Sequence, residues 1–290
     1  MIYTTGCSGY IGKLFLSELQ KLGIKSIGLS RTKSCSKTFS LHECREINLL
    51  TTTPEESLFE VPNGVLVHLA WVATPGLFWH STENSAWYTK SKELIDAFFK
   101  AGGKKIINIG SCAEYSDLTL SKITETDAIG GNTLYGANKS ALSKYIETMH
   151  TSNFTNLRVF NLYGLSEKSG RIIPDCIDKL RRGERFFLNE PKQIRDFIYI
   201  GDLIKILITT IENNAVGHLN LGTGMGMSIE SVVELIEEKL GIFGKVDKSK
   251  DYPRPSMVVA STTKFEETFP NFELTGIDDG LSETIFERGN

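Results

Sequence analysis

The segment Gly6-Cys-Ser-Gly9-Tyr-Ile-Gly12 stands between a short β-rich run at 2–5 and a stretch at 11–22. In that stretch Ile11, Leu14, Phe15, Leu19 and Leu22 recur at helical spacing. Three glycines in a first strand-to-helix turn restrict the fold severely. The first permits a tight turn, the second lets backbone approach a pyrophosphate, and the third lets helix and strand pack closely. N–H groups at the helix start then face the phosphates. At this glycine content, three glycines at such offsets arise by chance with an expectation of roughly 0.2, so position carries the inference. The spacing is G-x-x-G-x-x-G rather than G-x-G-x-x-G. Gly6, Ser8, Gly9, Tyr10, Ile11 and Gly12 are the candidate cofactor contacts, and an ordinary glycine-rich turn is the alternative.

The rest of the chain repeats the alternation. Strands are predicted at 26–29, 65–69, 106–109 and 157–160, and helices at about 85–100 and 135–151. Strand, helix, strand, repeated, implies right-handed crossovers and a parallel sheet. After about residue 165 the texture changes. Helical patterns at 171–182 and 202–213 mix with short strands at 186–188 and 218–221. An amphipathic helix follows at 228–240, with Ser228 as N-cap and Gly241 beyond its end. The expected fold is a doubly wound α/β Rossmann-type domain over 1–165. A smaller mixed α/β substrate-binding lobe follows over 166–290, with segments near 195–225 returning to the first part. A cleft at the carboxyl ends of the strands is the expected ligand site.

Composition excludes several classes of function. The 290 residues suffice for this architecture, and a net charge of −3 gives no electrostatic case for nucleic acid. No apolar run reaches 18 residues and no signal peptide is visible, so no membrane span is expected. Cys7, Cys35, Cys44, Cys112 and Cys176 form no Cys-x-x-Cys pair. Neither a zinc site nor a disulfide framework is supported, no metal is expected, and a cytoplasmic location follows.

An acidic side chain about 20 residues past the glycine loop would bind the ribose diol of NAD. No Asp or Glu occurs from Ile24 through His42. Ser30 and Arg31 instead offer a hydroxyl and a guanidinium, which suit a 2′-phosphate and favour NADP(H). A solvated basic loop is the other reading of Arg31.

Tyr-x-x-x-Lys occurs as Tyr88/Lys92 and as Tyr135/Lys139. About 0.7 matches are expected by chance, so order along the chain decides between them. Four residues apart on a helix, both side chains share a face, and the ammonium lowers the tyrosine pKa. Such a tyrosine donates a proton to a carbonyl as hydride arrives. Only Tyr135/Lys139 follows Ser111, which stands at the end of the strand at 106–109. Tyr88/Lys92 reads as an exposed helix face.

With these motifs in order the chain resembles the extended short-chain dehydrogenase/reductase family, which includes sugar-nucleotide epimerases, dehydratases and 4-ketoreductases. The resemblance spans essentially the whole chain. It rests on the glycine loop, His68-Leu-Ala-Trp71, Ser111-Cys-Ala-Glu-Tyr115, Tyr135-Gly-Ala-Asn-Lys139 and Arg158-Val-Phe-Asn161-Leu-Tyr163-Gly164. Arg195-Asp-Phe-Ile-Tyr199, Asn220-Leu-Gly-Thr-Gly224 and Arg254-Pro255 complete it. It implies that Ser111 and Tyr135 contact a sugar keto group, with Tyr135 as general acid. Lys139 would hold the nicotinamide ribose and tune Tyr135. Leu69, Ala70 and Trp71 would border the cofactor ribose, and Asn48 would meet adenine where many relatives have Asp. Asn161, Arg195 and Arg254 would face substrate, the arginines at its diphosphate. A local Arg195–Asp196 ion pair is a second reading of that dipeptide, compatible with the first. The loop with Trp79 and His80 is a candidate wall of the sugar pocket, or else exposed surface.

Departures narrow the reaction. GDP-fucose synthases carry an acid–base Cys and His where this chain has Ala113 and Leu165-Ser166. Dehydratases carry a paired Asp-Glu where it has Cys112-Ala113. The implied reaction is NADPH-dependent reduction of a nucleoside-diphosphate 4-keto-6-deoxy sugar in deoxysugar or surface-polysaccharide synthesis, with dTDP favoured over other bases. A nucleotide-sugar 4-epimerase is the alternative, and a non-catalytic NADP-binding sensor a third. A homodimer built on the helices at 85–100 and 135–151 is expected, as in the family.

Overall fold

The computed structural model describes residues 1–32, 40, 42–60, 62–116, 121–149, 152–213, 215–250 and 256–289. The strands are β1 (Ile2–Thr5), β2 (Ser26–Ser30), β3 (His42–Glu46), β4 (Val65–His68), β5 (Lys105–Ser111), β6 (Phe154–Val159), β7 (Asn161–Tyr163), β8 (Phe186–Leu188), β9 (Ile194–Tyr199), β10 (Gly217–Leu221), β11 (Gly226–Ser228), β12 (Val246–Lys248) and β13 (Met257–Val258). The helices are α1 (Tyr10–Lys21), α2 (Glu83–Lys100), α3 (Leu134–Met149), α4 (Ile172–Arg181), α5 (Ile200–Glu212), α6 (Ile229–Leu240), α7 (Thr263–Thr268) and α8 (Ile277–Glu287).

Two compact units emerge, and neither is contiguous in sequence. One comprises Met1–Ser116, Ala128–Arg158 and Ile204–Leu219. The other comprises Asp117–Asp127, Val159–Leu203 and Asn220–Asn290. The first contains a doubly wound seven-stranded sheet in the order β10-β6-β5-β4-β1-β2-β3. β1 runs parallel to both β2 and β4, with Thr5 opposite Leu29 and His68. Strand order reverses at β1/β4, where open α/β sheets bind ligands. The β1, β2 and β5 strands are buried along nearly their whole length, as helix-covered parallel strands must be. Tyr3, Leu66 and Ile106 from the sheet pack with Leu94, Phe98, Leu142 and Ile146 from α2 and α3.

In the second unit β9 is central, flanked by β11 and β13 and also paired with β7, while β12 pairs with β8. α6 begins at its expected cap, where Ser228 Oγ accepts from the Ser231 N–H at 3.0 Å, and ends on left-handed Gly241. The sequence pattern missed β3, β7, β9, β11, β12, β13, α7 and α8.

The cysteines depart from expectation. Cys44 is disulfide-bonded, although cysteine spacing gave no sign of a bridge. Cys7, Cys112 and Cys176 are thiols. Among the described residues no helix is long and apolar enough to cross a membrane, and no cluster of His, Cys, Asp and Glu could hold a metal ion.

Candidate active site

At the end of β1 the chain turns through Gly6, whose φ of +66° favours glycine. A side chain there would also press on Ala70 N at 2.9 Å. A Cβ on Gly12 would strike the Gly6 carbonyl oxygen, so helix and turn are in close contact. The start of α1 has no side-chain cap and no acidic residue in its first turn. Backbone N–H groups at such a terminus, in a cradle that a Cβ would fill, fit a dinucleotide's phosphates.

Thr5 ties the glycine loop's strand to β4. Its Oγ1 accepts from Leu69 N (3.0 Å) and Ala70 N (3.1 Å), and it lies 2.8 Å from His68 Nδ1. With both N–H bonds on its oxygen, the threonine hydroxyl donates to Nδ1. His68 Nε2 then donates to Ser91 Oγ at 2.9 Å. The ring is therefore neutral. Burial, aided by the Lys139 charge, pushes its pKa down to about 3. A folded-state value below the ordinary 6.5 stabilises the protein above pH 6.5 and loses that contribution as pH falls toward 3. Between pH 6.5 and 4 the wild-type Tm should fall more steeply than that of His68→Gln. Parallel slopes in scanning calorimetry would refute this.

Ser30 ends β2 and is buried. Its Oγ donates to Ser8 Oγ at 3.5 Å and accepts from Thr32 N at 3.4 Å, while neighbouring Arg31 is exposed. The Ser30 hydroxyl thus braces the glycine loop. Asn48 is half-buried, and its Oδ1 accepts from Leu50 N at 3.2 Å, which directs the side-chain amide group from a turn.

β5 delivers Ser111 to a 3-10 turn over Cys112–Glu114. Ser111 Oγ accepts from Ala113 N at 3.2 Å, and Glu114 Oε1 accepts from Ser111 N at 2.9 Å, a reciprocal capping box. Glu114 is fully buried and paired with buried Arg158 at 3.0 Å. Arg158 also donates to Tyr115 Oη at 3.0 Å. A Cβ on Gly136 would run into the Ala113 carbonyl oxygen, so the start of α3 abuts the Ser111 turn. Tyr135 immediately precedes Gly136 at that helix start. Sequence reasoning missed both Gly136 and Glu114. The glycine inside Tyr135-Gly-Ala-Asn-Lys139 was the available signal for the first.

Lys139 is buried one turn beyond Tyr135. Its Nζ donates to Ile109 O at 2.8 Å and lies 6.0 Å from the Tyr135 ring centroid. Burial lowers its pKa to about 8, against an upward pull from Glu114. Tyr135 N donates to Trp79 O at 3.1 Å. Its ring meets Phe78 and Trp79 edge-to-face at 4.8 and 5.7 Å. Trp79 is therefore a neighbour of Tyr135, with 40% of its surface exposed, and His80 is exposed. Tyr88 and Lys92 are half-buried rather than exposed, because the Lys92 ammonium lies over both the Tyr88 and Tyr145 rings.

The second unit holds Asn161 and Arg195. Asn161 Nδ2 donates to Asp196 O at 3.0 Å. Arg195 is half-buried and donates to Ile194 O, to Ser256 O and Oγ, and to Gln193 Oε1. Asp196 does not make the local ion pair. Its two oxygens accept four bonds, from Thr223 N and Oγ1, Gly224 N and Ala260 N, which fill its acceptor positions. Arg254 lies outside the described residues.

The family model for the NAD dependent epimerase/dehydratase family matches residues 2–222. The chain is 28% identical over 285 residues to the UDP-glucose 4-epimerase of Bacillus subtilis (strain 168), covering 83% of this chain and 82% of that protein. It is 24% identical over 314 residues to the dTDP-4-dehydro-6-deoxy-D-allose reductase of Streptomyces bikiniensis, covering 98% and 94%. Among solved structures, MoeE5 in complex with UDP-glucuronic acid and NAD matches with a TM-score of 0.85. Identity there is 22%, over 99% of this chain and 98% of that one, a likeness of fold.

Proposed function

The chain belongs to the NAD dependent epimerase/dehydratase family, and from that premise we propose that it uses NADPH to reduce the C4 keto group of a nucleoside-diphosphate 4-keto-6-deoxy sugar. It is an oxidoreductase acting on nucleotide sugars, dependent on NAD(P). The reading is carried by the packing of the Ser111 turn against the start of α3, with Lys139 buried one turn past Tyr135. When bound, the cofactor supplies hydride. Tyr135 gives its phenolic proton to the keto oxygen, and the Ser111 hydroxyl hydrogen-bonds the same oxygen. The Lys139 ammonium favours the phenolate and so lowers the tyrosine pKa toward working pH. Asn161 and Arg195 face the substrate, Arg195 toward its diphosphate, because a forked guanidinium matches phosphate oxygens. Leu69, Ala70 and Trp71 border the cofactor, with Asn48 toward adenine. The likeness to the Streptomyces bikiniensis reductase favours a dTDP-linked substrate. A homodimer through α2 and α3 and a cytoplasmic location belong to the same reading.

NADPH is preferred over NADH because Arg31 is exposed beside Ser30 and no acid occurs from Ile24 through His42. Arg31→Ala is expected to reduce the NADPH:NADH ratio of kcat/KM by about tenfold, the value of roughly 1.4 kcal/mol from a lost guanidinium–phosphate contact. An unchanged ratio would place the 2′-phosphate elsewhere.

The direct test follows NADPH oxidation with dTDP-, CDP-, GDP- and UDP-linked 4-keto-6-deoxy sugars. Stoichiometric oxidation with one of them establishes the reductase and names its nucleotide. The likeness to the Bacillus subtilis protein favours a second reading, a nucleotide-sugar 4-epimerase. That reading predicts interconversion of C4 epimers without net NADPH loss.

A further inference from the structure

We propose that Trp71 is a positioning residue for Lys139, its indole face holding the ammonium in place and buried Asn84 fixing that face. The inference rests on the reading of Lys139 as the group that tunes Tyr135. Lys139 Nζ lies 4.2 Å from the Trp71 ring centroid. Its direct hydrogen bond is to a carbonyl, Ile109 O. The carboxylate that acts on it, Glu114, is already paired with Arg158. Among the described residues the other titratable groups facing it are neutral His68 and Tyr135. A buried cation with so little opposite charge gains from an aromatic face, and desolvation strengthens that attraction.

The face is held from two sides. Trp71 Nε1 donates to Asn84 Oδ1 at 2.8 Å, and the ring stacks on Trp87 at 6.4 Å between centroids. Asn84 is fully buried in the first turn of α2. Its Nδ2 donates to Phe78 O and Ser81 O, both at 2.8 Å. The loop that Asn84 gathers also supplies Trp79 O to the Tyr135 N–H. One buried amide therefore orders the partners of both Lys139 and Tyr135.

The chain's three tryptophans, Trp71, Trp79 and Trp87, all lie in this region, so a single-tryptophan protein can report on one of them. In the Trp79→Phe/Trp87→Phe protein, without substrate, indole emission is followed from pH 6 to 10. The expected result is a step near pH 8 as the ammonium loses its proton, absent when Lys139→Met is added. Kinetically, Trp71→Leu should move the alkaline limb of kcat about one pH unit toward acid, and Trp71→Phe should restore it by keeping a π face. Emission that is flat, or a step that persists without Lys139, overturns the proposal. So does an equal loss of kcat in the Leu and Phe variants with the limb unmoved. The emission measurement needs no substrate. If the step appears but no keto sugar oxidises NADPH, the reductase reading fails and the Trp71–Lys139 coupling stands.

Discussion

Tyr135→Phe is expected to lower turnover by about three orders of magnitude while leaving cofactor affinity within about twofold, since a positioned general acid is worth about 10²–10⁴ in rate. The substitution removes one oxygen and little else. The phenyl ring keeps its edge-to-face contacts with Phe78 and Trp79, and the backbone N–H keeps Trp79 O. Lys139 keeps Ile109 O and the Trp71 face. A loss of rate would therefore report the missing proton and not a collapsed site. The measurement pairs NADPH oxidation, with the substrate identified from the panel, with a fluorescence titration of NADPH binding. Turnover within tenfold of wild type would remove Tyr135 as the acid. Loss of both turnover and binding would make its role one of cofactor placement. An epimerase would lose its rate in the same variant, so stoichiometry, not this substitution, separates the two reactions.

Arg158→Met is expected to destabilise the protein by about 3–5 kcal/mol, because it leaves a buried carboxylate without its partner. Glu114 and Arg158 are each about 1% exposed or less, 3.0 Å apart, and the guanidinium also lies 4.9 Å over the Tyr115 ring. Asn156 Nδ2 is within 3.5 Å of both Glu114 oxygens but cannot neutralise the charge. The double variant Glu114→Gln/Arg158→Met removes both charges and should recover most of the loss. The substituted amide retains a carbonyl for the Ser111 N–H, so the turn that carries Ser111 should persist. Urea unfolding of the two singles and the double checks this. A double variant no more stable than the sum of the singles would show that the pair is not coupled.

The residues behind these two predictions differ in how visible they are from sequence. Tyr135 and Lys139 are four apart on one helix, and their place after Ser111 singles them out from Tyr88/Lys92. Glu114 and Arg158 are 44 residues apart, and nothing in spacing links them. Glu114 lies in a motif notable for its serine, and Arg158 in one notable for its asparagine. The same holds for Asp196. Its neighbour Arg195 suggested a local ion pair, but the carboxylate serves backbone donors 27 to 64 residues away.

By itself the sequence determined what local periodicity and local sterics control. The alternation of strands and helices, the glycine turn after β1, the Ser228 and Gly241 caps and the Tyr135/Lys139 face all arise within a few residues of chain. Only the tertiary structure decided which distant groups satisfy one another. Asn84 gathers the Trp79 loop, Trp71 covers Lys139, and Gly136 lets α3 reach the Ser111 turn. The short strands β7, β11 and β13 exist through pairing with β9, too short to show a period of their own. A buried polar group must find a partner, but which partner depends on the path of the whole chain.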